Sequence, residues 1–102
     1  MNKIDQFLEE LSEINDRALY PSDMKAAIIG YVERFGMDPQ ILLDREKCIE
    51  ILIKEGMTHE EAEEYFEFNT IGSFMGEEGT PCFATLIKLP PPKKNIVQKK
   101  KK

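Results

Sequence analysis

The fold class of this chain depends on how residues 22–44, SDMKAAIIGYVERFGMDPQILLD, are interpreted. In the first part of this stretch, apolar residues recur at spacings of three and four, as on one face of a helix. Ser22 is a suitable N-cap, and Gly36 lies where a left-handed residue often ends a helix. The spacing therefore predicts a helix from Ser22 to Gly36. Its apolar positions are Met24, Ala27, Ile28, Tyr31, Val32 and Phe35.

The second part of the stretch, MDPQILLD, fits two structures. Asp38 and Pro39 can begin a helical turn, whereas residues 41–43 form a short apolar run suited to a strand. The extended structure is the favoured one. Residues 82–87, CFATLI, also carry side chains compatible with a strand, so 41–43 and 82–87 are candidates to pair as a short two-stranded ribbon.

An amphipathic helix is predicted N-terminal to this stretch, over residues 3–19, with Asn2 as its N-cap. The proline at position 21 ends it, because the residue before a proline is disfavoured in the helical region. Small domains gain stability by burying an apolar face, so this helix is a candidate for homodimerisation. Its apolar positions are Ile4, Phe7, Leu8, Leu11 and Ile14.

Two further helices are predicted C-terminal to the stretch. Asp44 is suited to cap a helix that ends at Gly56, and Thr58 with Glu61 forms a capping box for a helix over 59–75. The connection between them is short, so they should form an antiparallel αα-hairpin. The sequence thus predicts a mainly α domain, a compact bundle of about four helices, to which the two-stranded ribbon is added if both segments are extended.

The charge of the chain is unevenly distributed. The net charge is −5, but residues 88–102 hold seven of the 14 basic residues and no acidic one, which leaves a net charge of −12 on residues 1–87. We therefore expect one acidic helical domain over 1–88 and a disordered Pro- and Lys-rich tail over 89–102. An acidic body repels nucleic acid and favours basic partners, so nucleic acid could bind only through the tail. The tail lysines concerned are Lys93, Lys94, Lys99, Lys100, Lys101 and Lys102.

Composition also bears on the compartment. Two cysteines are too few for a disulfide scaffold, and the first residues are charged rather than apolar as in a signal peptide. The apolar runs are far shorter than the roughly 20 residues of a membrane-spanning helix. These features predict a cytoplasmic protein with no membrane partner.

The acidic start of the helix predicted over 59–75 is a candidate binding surface. Clustered acids are usually a solvated face, and the alternative is mimicry of nucleic acid, in which ordered carboxylates imitate phosphates and occupy a DNA- or RNA-binding protein. The residues of this surface are Glu60, Glu61, Glu63, Glu64 and Glu67.

The end of that helix and the GEEGTP loop form a second candidate. Asn69 shares a face with apolar residues, and a buried amide needs hydrogen-bond partners. Two interpretations stay open: Asn69 ties the loop to the helix, or Asn69, Glu77, Glu78 and Thr80 line a small polar site. The residues assigned to this candidate are Asn69, Gly72, Gly76, Glu77, Thr80 and Pro81.

Patterns for catalysis, cofactors and metals are weak. His59 and Glu63 share a helix face, but one histidine with carboxylates is a poor metal-site pattern. Cys48 and Cys82 lack the spacing of a zinc site, and Cys48 lies among apolar residues as a small core side chain would. We therefore predict no catalytic residue, no metal and no cofactor, and a protein that is not an enzyme.

Residues 27–83 resemble a family of small uncharacterised proteins common in phage and prophage genomes. The likeness lies in AIIGYVERFG, DREKCIEIL, GMTHEEAEEYFEFN and the closing GTPCF, in this order and spacing. The resemblance implies a phage-type accessory protein and no particular activity. Together with the charge it predicts binding of a host macromolecule, most readily a host protein, through the acidic body. The alternatives are a nucleic-acid-associated protein that uses the lysine tail, and a small ligand-binding protein or enzyme around Asn69 and the loop.

Overall fold

The computed structural model describes residues 2–88, which combine helices with a three-stranded sheet. The helical segments are α1 (Lys3–Ser12), a 3₁₀ helix (Ser22–Ala27), α2 (Arg45–Lys54), α3 (His59–Tyr65) and a π-helical segment (Phe66–Thr70) directly after α3. The strands are β1 (Ile28–Arg34), β2 (Met37–Asp44) and β3 (Cys82–Ala84). The prediction of a mainly α helix bundle is therefore wrong, and the fold is a small mixed α/β domain.

The helix predicted over 22–36 accounts for most of this difference. Only Ser22–Ala27 is helical, and the rest of the segment forms β1, which pairs antiparallel with β2. A two-residue turn that includes Gly36 joins the paired residues Arg34 and Met37, and Gly36 has φ of +83°. Gly36 thus serves a hairpin turn rather than a helix end, since both need a left-handed residue. The Ile, Tyr and Val side chains of β1 suit a strand once a partner strand lies beside it.

β2 is the central strand of the sheet, whose order is β1-β2-β3. Its pairing with β3 is parallel and runs from Leu42 opposite Cys82 to Asp44 opposite Ala84. The predicted pairing of 41–43 with the apolar segment near the C-terminal end is thus confirmed for 82–84. It occurs within a three-stranded sheet, and not as an isolated ribbon, because β1 covers the other edge of β2.

The αα-hairpin between β2 and β3 is confirmed. Asp44 caps α2 by accepting a hydrogen bond from the Glu46 N–H at 3.0 Å. Thr58 and Glu61 form the capping box of α3, with backbone-to-side-chain distances of 2.9 and 3.1 Å in the two directions. Parallel strands need a long crossover connection, and α2 and α3 lie within it. The same local caps therefore serve a different topology from the predicted bundle.

α1 is shorter than predicted, since it ends at Ser12 rather than near residue 19. Asn2 caps it as expected, accepting a hydrogen bond from the Asp5 N–H at 2.8 Å. The apolar face of α1 packs on the core of its own chain, and the Phe7 ring stacks on Tyr31 with 6.1 Å between ring centroids. Four of the five apolar positions proposed for homodimerisation are thus buried or partly buried within the chain, whereas Ile14 is 61% exposed, and homodimerisation stays a prediction. The core consists of Leu11, Met24, Ala27, Ile28, Ile41, Leu43, Cys48, Ile49, Leu52, Ala62 and Phe66.

The predicted tail, residues 89–102, and its six lysines lie outside the described residues. The domain prediction over 1–88 and 89–102 stays a prediction for that reason. Between residues 2 and 88, every helix is too short or too polar to cross a membrane.

Candidate functional site

The loop that follows the π-helical segment is held by buried amides other than Asn69. Asn15 is 5% exposed, and its Nδ2 donates to the carbonyl oxygens of Pro39 at 2.9 Å and Glu78 at 3.0 Å. Gln40 is 2% exposed, and its Nε2 donates to the same Glu78 oxygen at 2.6 Å. The Asn15 side chain also accepts from the Arg17 N–H at 3.0 Å. The loop is therefore tied to the segment after α1 and to the central strand.

Asn69 itself is exposed, so its predicted place on the core face is wrong. The helix predicted to reach residue 75 ends at Thr70, and of the π-helical segment only Phe66 and Thr70 are buried. Asn69 lies beside Met57 and Tyr65, whereas Glu77 and Glu78 lie beside the β1–β2 turn. The structure therefore does not assemble the predicted polar site of Asn69 with the loop.

The other loop residues have mainly structural positions. The Thr80 hydroxyl accepts from the Met75 N–H at 2.8 Å and donates to the Gly76 carbonyl oxygen at 2.6 Å, which closes the loop on itself. Gly76 has φ of +92°, a conformation that suits glycine. Pro81 is buried and Gly72 is exposed. Of the two open interpretations, the structural closure of the loop describes Thr80 well. The amide side chains that tie the loop down are those of Asn15 and Gln40, and not that of Asn69.

Sequence reasoning missed Asn15 and Gln40. Asn15 follows the last turn of α1, where asparagine is common and usually solvated. Gln40 precedes the buried run Ile41–Leu43, and a polar residue beside such a run was its only signal. The spacing of apolar residues does not indicate that the Asn15 or the Gln40 side chain will be buried.

A polar cleft of about 680 Å³ lies between the β1–β2 turn and the loop. Arg34, Asp38, Glu77 and Glu78 give it charge of both signs with an excess of acid. Arg34 donates to the Phe35 carbonyl oxygen at 3.0 Å, and the Glu78 carboxylate pairs with Arg17. The cleft is lined by Arg34, Gly36, Met37, Asp38, Gln40, Glu77 and Glu78.

The predicted acidic surface forms a second candidate site, and an aromatic side chain stands in the middle of it. Phe68 is 76% exposed. It forms part of two neighbouring grooves of about 450 and 440 Å³. Four glutamates and Arg45 line the rest of the first groove, and the second is otherwise lined by Glu61, Glu64, Met57, Tyr65 and Asn69. We call this surface the α3 face, and it comprises Glu60, Glu61, Glu63, Glu64, Tyr65, Glu67 and Phe68.

The α3 face is fixed from beneath. Phe66 is fully buried and contacts Phe83 edge-to-face, with 5.3 Å between ring centroids. The Arg45 guanidinium lies 4.9 Å from the centroid of the Phe66 ring, and its Nη2 is 2.8 Å from Glu67 Oε2. Arg45 thus joins the buried ring to the acidic surface. Of the acids on the α3 face, Glu67 is thus tied to the core through Arg45.

Much of the acid on the α3 face is left without a cation from the chain. Glu67 pairs with Arg45, and Glu63 Oε2 lies 3.8 Å from His59 Nε2. Within residues 2–88, Glu60 and Glu64 make no ion pair. These carboxylates are thus available to a cationic partner.

The side chains considered for catalysis or metal binding are not arranged for either. Burial, with the negative charges of Asp44 and Asp23, raises the pKa of the Cys48 thiol to about 11, so this thiol is a poor nucleophile. Cys82 is partly buried and, like Cys48, is free. Across residues 2–88, no three His, Cys, Asp or Glu side chains are grouped so as to hold a metal ion.

No protein-family model, no curated protein and no solved structure matches this chain. The function is therefore argued from the chain's own residues. The likeness of residues 27–83 to phage proteins stays an expectation from the sequence.

Proposed function

We propose that this is a phage-type accessory protein that binds a host protein, and that the α3 face carries the binding. The observation behind the proposal is Phe68, a large apolar side chain that is 76% exposed amid glutamates. Exposing an aromatic ring to water forgoes about 1.5–3 kcal/mol of burial free energy. Aromatic side chains are enriched at protein interfaces, where they fill pockets of the partner. Phe68 is the anchor residue of this surface.

The chemistry of the partner follows from the charge around this anchor. Glu60 and Glu64 flank the grooves beside Phe68 without an ion pair within the described part of the chain. Residues 1–87 carry a net charge of −12, which attracts a basic partner over a long range. The partner surface should therefore present an apolar pocket or side chain for Phe68, bordered by lysines or arginines.

Preorganisation also supports the α3 face as a binding surface. The capping box fixes the start of α3, and the buried Ala62 and Phe66 fix its inner side. A partner then orders few backbone groups of this protein on binding, which limits the entropic cost. The π-helical geometry of Phe66–Thr70 is consistent with this role, since π-helical turns are frequent at functional sites.

The host-cell cytoplasm is the compartment that goes with this function. Free Cys48 and Cys82 fit a reducing compartment. Nucleic acid is the weaker partner for the described body, because its negative charge repels phosphates. The capture experiment distinguishes binding of nucleic acid through the tail lysines from binding of a host protein.

The test is affinity capture from host lysate by the full chain, in parallel samples with and without nuclease treatment, followed by identification and titration of the captured protein. Phe68→Ser should weaken binding by about tenfold or more, as expected for an anchor residue. The double change Glu60→Gln with Glu64→Gln should reduce both the affinity and its dependence on salt concentration.

Matched controls are available elsewhere on the surface. Phe35 is also a highly exposed phenylalanine, and Glu9 and Glu10 are exposed acids of α1. Phe35→Ser, and Glu9→Gln with Glu10→Gln, should leave binding within about twofold of the unaltered protein, as is usual for residues outside an interface. Equal losses in the α3-face variants and the controls would refute this assignment. So would a captured partner that disappears on nuclease treatment.

A further inference from the structure

The polar cleft between the β1–β2 turn and the loop contains a hydrogen-bond acceptor with no donor. Gln40 is 2% exposed and belongs to the lining of the cleft. Its Nε2 donates to the Glu78 carbonyl oxygen at 2.6 Å, but its Oε1 has no partner within residues 2–88. The amide cannot simply be turned over, because Oε1 would then face the Glu78 oxygen. A buried acceptor without a donor is destabilising, so this position calls for a group that brings an N–H or O–H.

The charges around Gln40 select the kind of group. Asp38 and Glu77 line the cleft and make no ion pair within the described part of the chain. The Glu78 carboxylate is already paired with Arg17. With Arg34 as the only lining cation, the cleft has an excess of negative charge. Anionic ligands are disfavoured by this balance, and cations are favoured.

A bare metal ion does not fit this arrangement, since residues 2–88 hold no cluster of three ligating side chains. An organic cation fits it better, because its N–H groups can donate to Gln40 Oε1 and its positive charge can pair with the carboxylates. The volume of about 680 Å³ lies within the ordinary range of small-ligand sites. The loop wall is tied to the central strand and to the segment after α1 by the bonds from Gln40 and Asn15 to Glu78, whereas the atoms that cover Gln40 Oε1 must move aside for a donor to reach it.

We propose that this cleft binds an organic cation that carries N–H donors, an alkylammonium or a guanidinium group. The cation donates to Gln40 Oε1, and Asp38 and Glu77 hold its charge. A free amine and a lysine or arginine side chain of a peptide both offer this chemistry. The cleft and the α3 face share no residue, so this inference stands or falls independently of the proposed function.

The experiment is an NMR titration of the isotope-labelled full chain with agmatine, which has one guanidinium and one ammonium group. Hexamethonium is the matched control, because it carries the same charge on two quaternary nitrogens without N–H donors. We expect saturable shifts of the Met37 and Asp38 amides and of the Gln40 side-chain amide with agmatine. Hexamethonium should bind about tenfold more weakly or worse, the loss expected for one charge-assisted hydrogen bond. A capped tripeptide with a central lysine is titrated in parallel. Its binding, compared with that of agmatine, shows whether a free amine or a peptide side chain is the source of the cation.

Variants separate recognition at the cleft from general attraction of cations. Gln40→Met keeps the length of the side chain and removes the acceptor, and it should weaken agmatine binding about tenfold. Asp38→Asn, at an exposed position, should weaken binding without disturbing the fold and serves if Gln40→Met unfolds the protein. Glu9→Gln on α1 is the matched control and should change nothing. Equal binding of agmatine and hexamethonium would overturn the proposal, as would no saturable shift with either agmatine or the peptide, or unchanged agmatine binding by Asp38→Asn.

Discussion

Replacing Asn15 with alanine tests the account of how this small fold is closed. Three hydrogen bonds of the Asn15 side chain, to Pro39, Glu78 and Arg17, join the segment after α1 to the central strand and to the loop. Asn15→Ala removes all three together. The perturbation is therefore expected to act on the tertiary closure and to leave the helices and their caps intact.

The magnitude can be worked out from the partners that are left. The Glu78 carbonyl oxygen keeps its bond from Gln40 at 2.6 Å, so its loss is small. The part-buried carbonyl oxygen of Pro39 loses its hydrogen bond from Asn15. An acceptor left without a donor in this way costs about 1–3 kcal/mol of unfolding free energy. The Arg17 N–H belongs to an exposed residue and can be solvated. The Pro39 acceptor therefore dominates, and we expect Asn15→Ala to lower the free energy of unfolding by about 2 kcal/mol, the middle of this range.

Urea titration followed by circular dichroism measures this change, with thermal unfolding as a second assay. A loss of this size should lower Tm by about 8 °C or more for a domain of this length. Asn69→Ala is the matched control, since it deletes the same side chain at an exposed position and should change stability by less than about 0.5 kcal/mol. Asn15→Asp keeps the size of the side chain but turns a carboxylate toward two carbonyl oxygens, so it should destabilise at least as much as alanine.

The reasoning would be refuted by either of two results. Asn15→Ala could cost no more than Asn69→Ala, in which case the loop is held by other contacts. Asn15→Asp could match the unaltered protein at neutral pH, in which case the Nδ2 donors have no energetic role.

Four further predictions concern the core, the loop and the thiols. Phe66→Ala should cost about 3–5 kcal/mol in urea unfolding, because the ring is fully buried. Gly79→Ala should cost about 1–3 kcal/mol in the same assay, since its new Cβ would lie 2.5 Å from the Arg17 carbonyl oxygen. A thiol reagent at pH 8 should label Cys82 before Cys48 in the folded protein, and equal rates would contradict the burial of Cys48. Stability should fall as pH rises from about 9 toward 11, because the Cys48 thiol ionises first in the unfolded chain.

Most local signals in the sequence were reliable, except that Ser22 does not cap a helix but is the first residue of the 3₁₀ helix, which has no side-chain cap. The caps at Asn2 and Asp44 and the capping box of Thr58 with Glu61 are all present. Each of these features depends on residues within one helical turn, so the tertiary structure has little effect on it. The αα-hairpin of α2 and α3 follows from the same signals and a short connection.

Signals that depended on a distant partner were misleading. The apolar spacing of residues 24–35 fits a helix, yet residues 28–34 form a strand because β2 lies beside them. The apolar surroundings of Asn69 predicted that its side chain is buried. The helical segment instead ends at Thr70, and Asn69 and Phe68 are exposed. Periodicity shows which side chains share a face, but it does not show which face another element will cover.

The sequence by itself determined the helix starts, the αα-hairpin and the separation of an acidic body from a lysine-rich segment, since these depend on neighbouring residues or on composition. Only the tertiary structure decided the three-stranded sheet and the two candidate sites. The unpredicted pairing of β1 with β2 joins residues such as Ile28 and Leu43, and its free energy is realised only when both strands are in place. The burial of Asn15 and Gln40 and the exposure of Phe68 are consequences of that packing, because whether a polar or apolar side chain meets water is a property of the assembled fold.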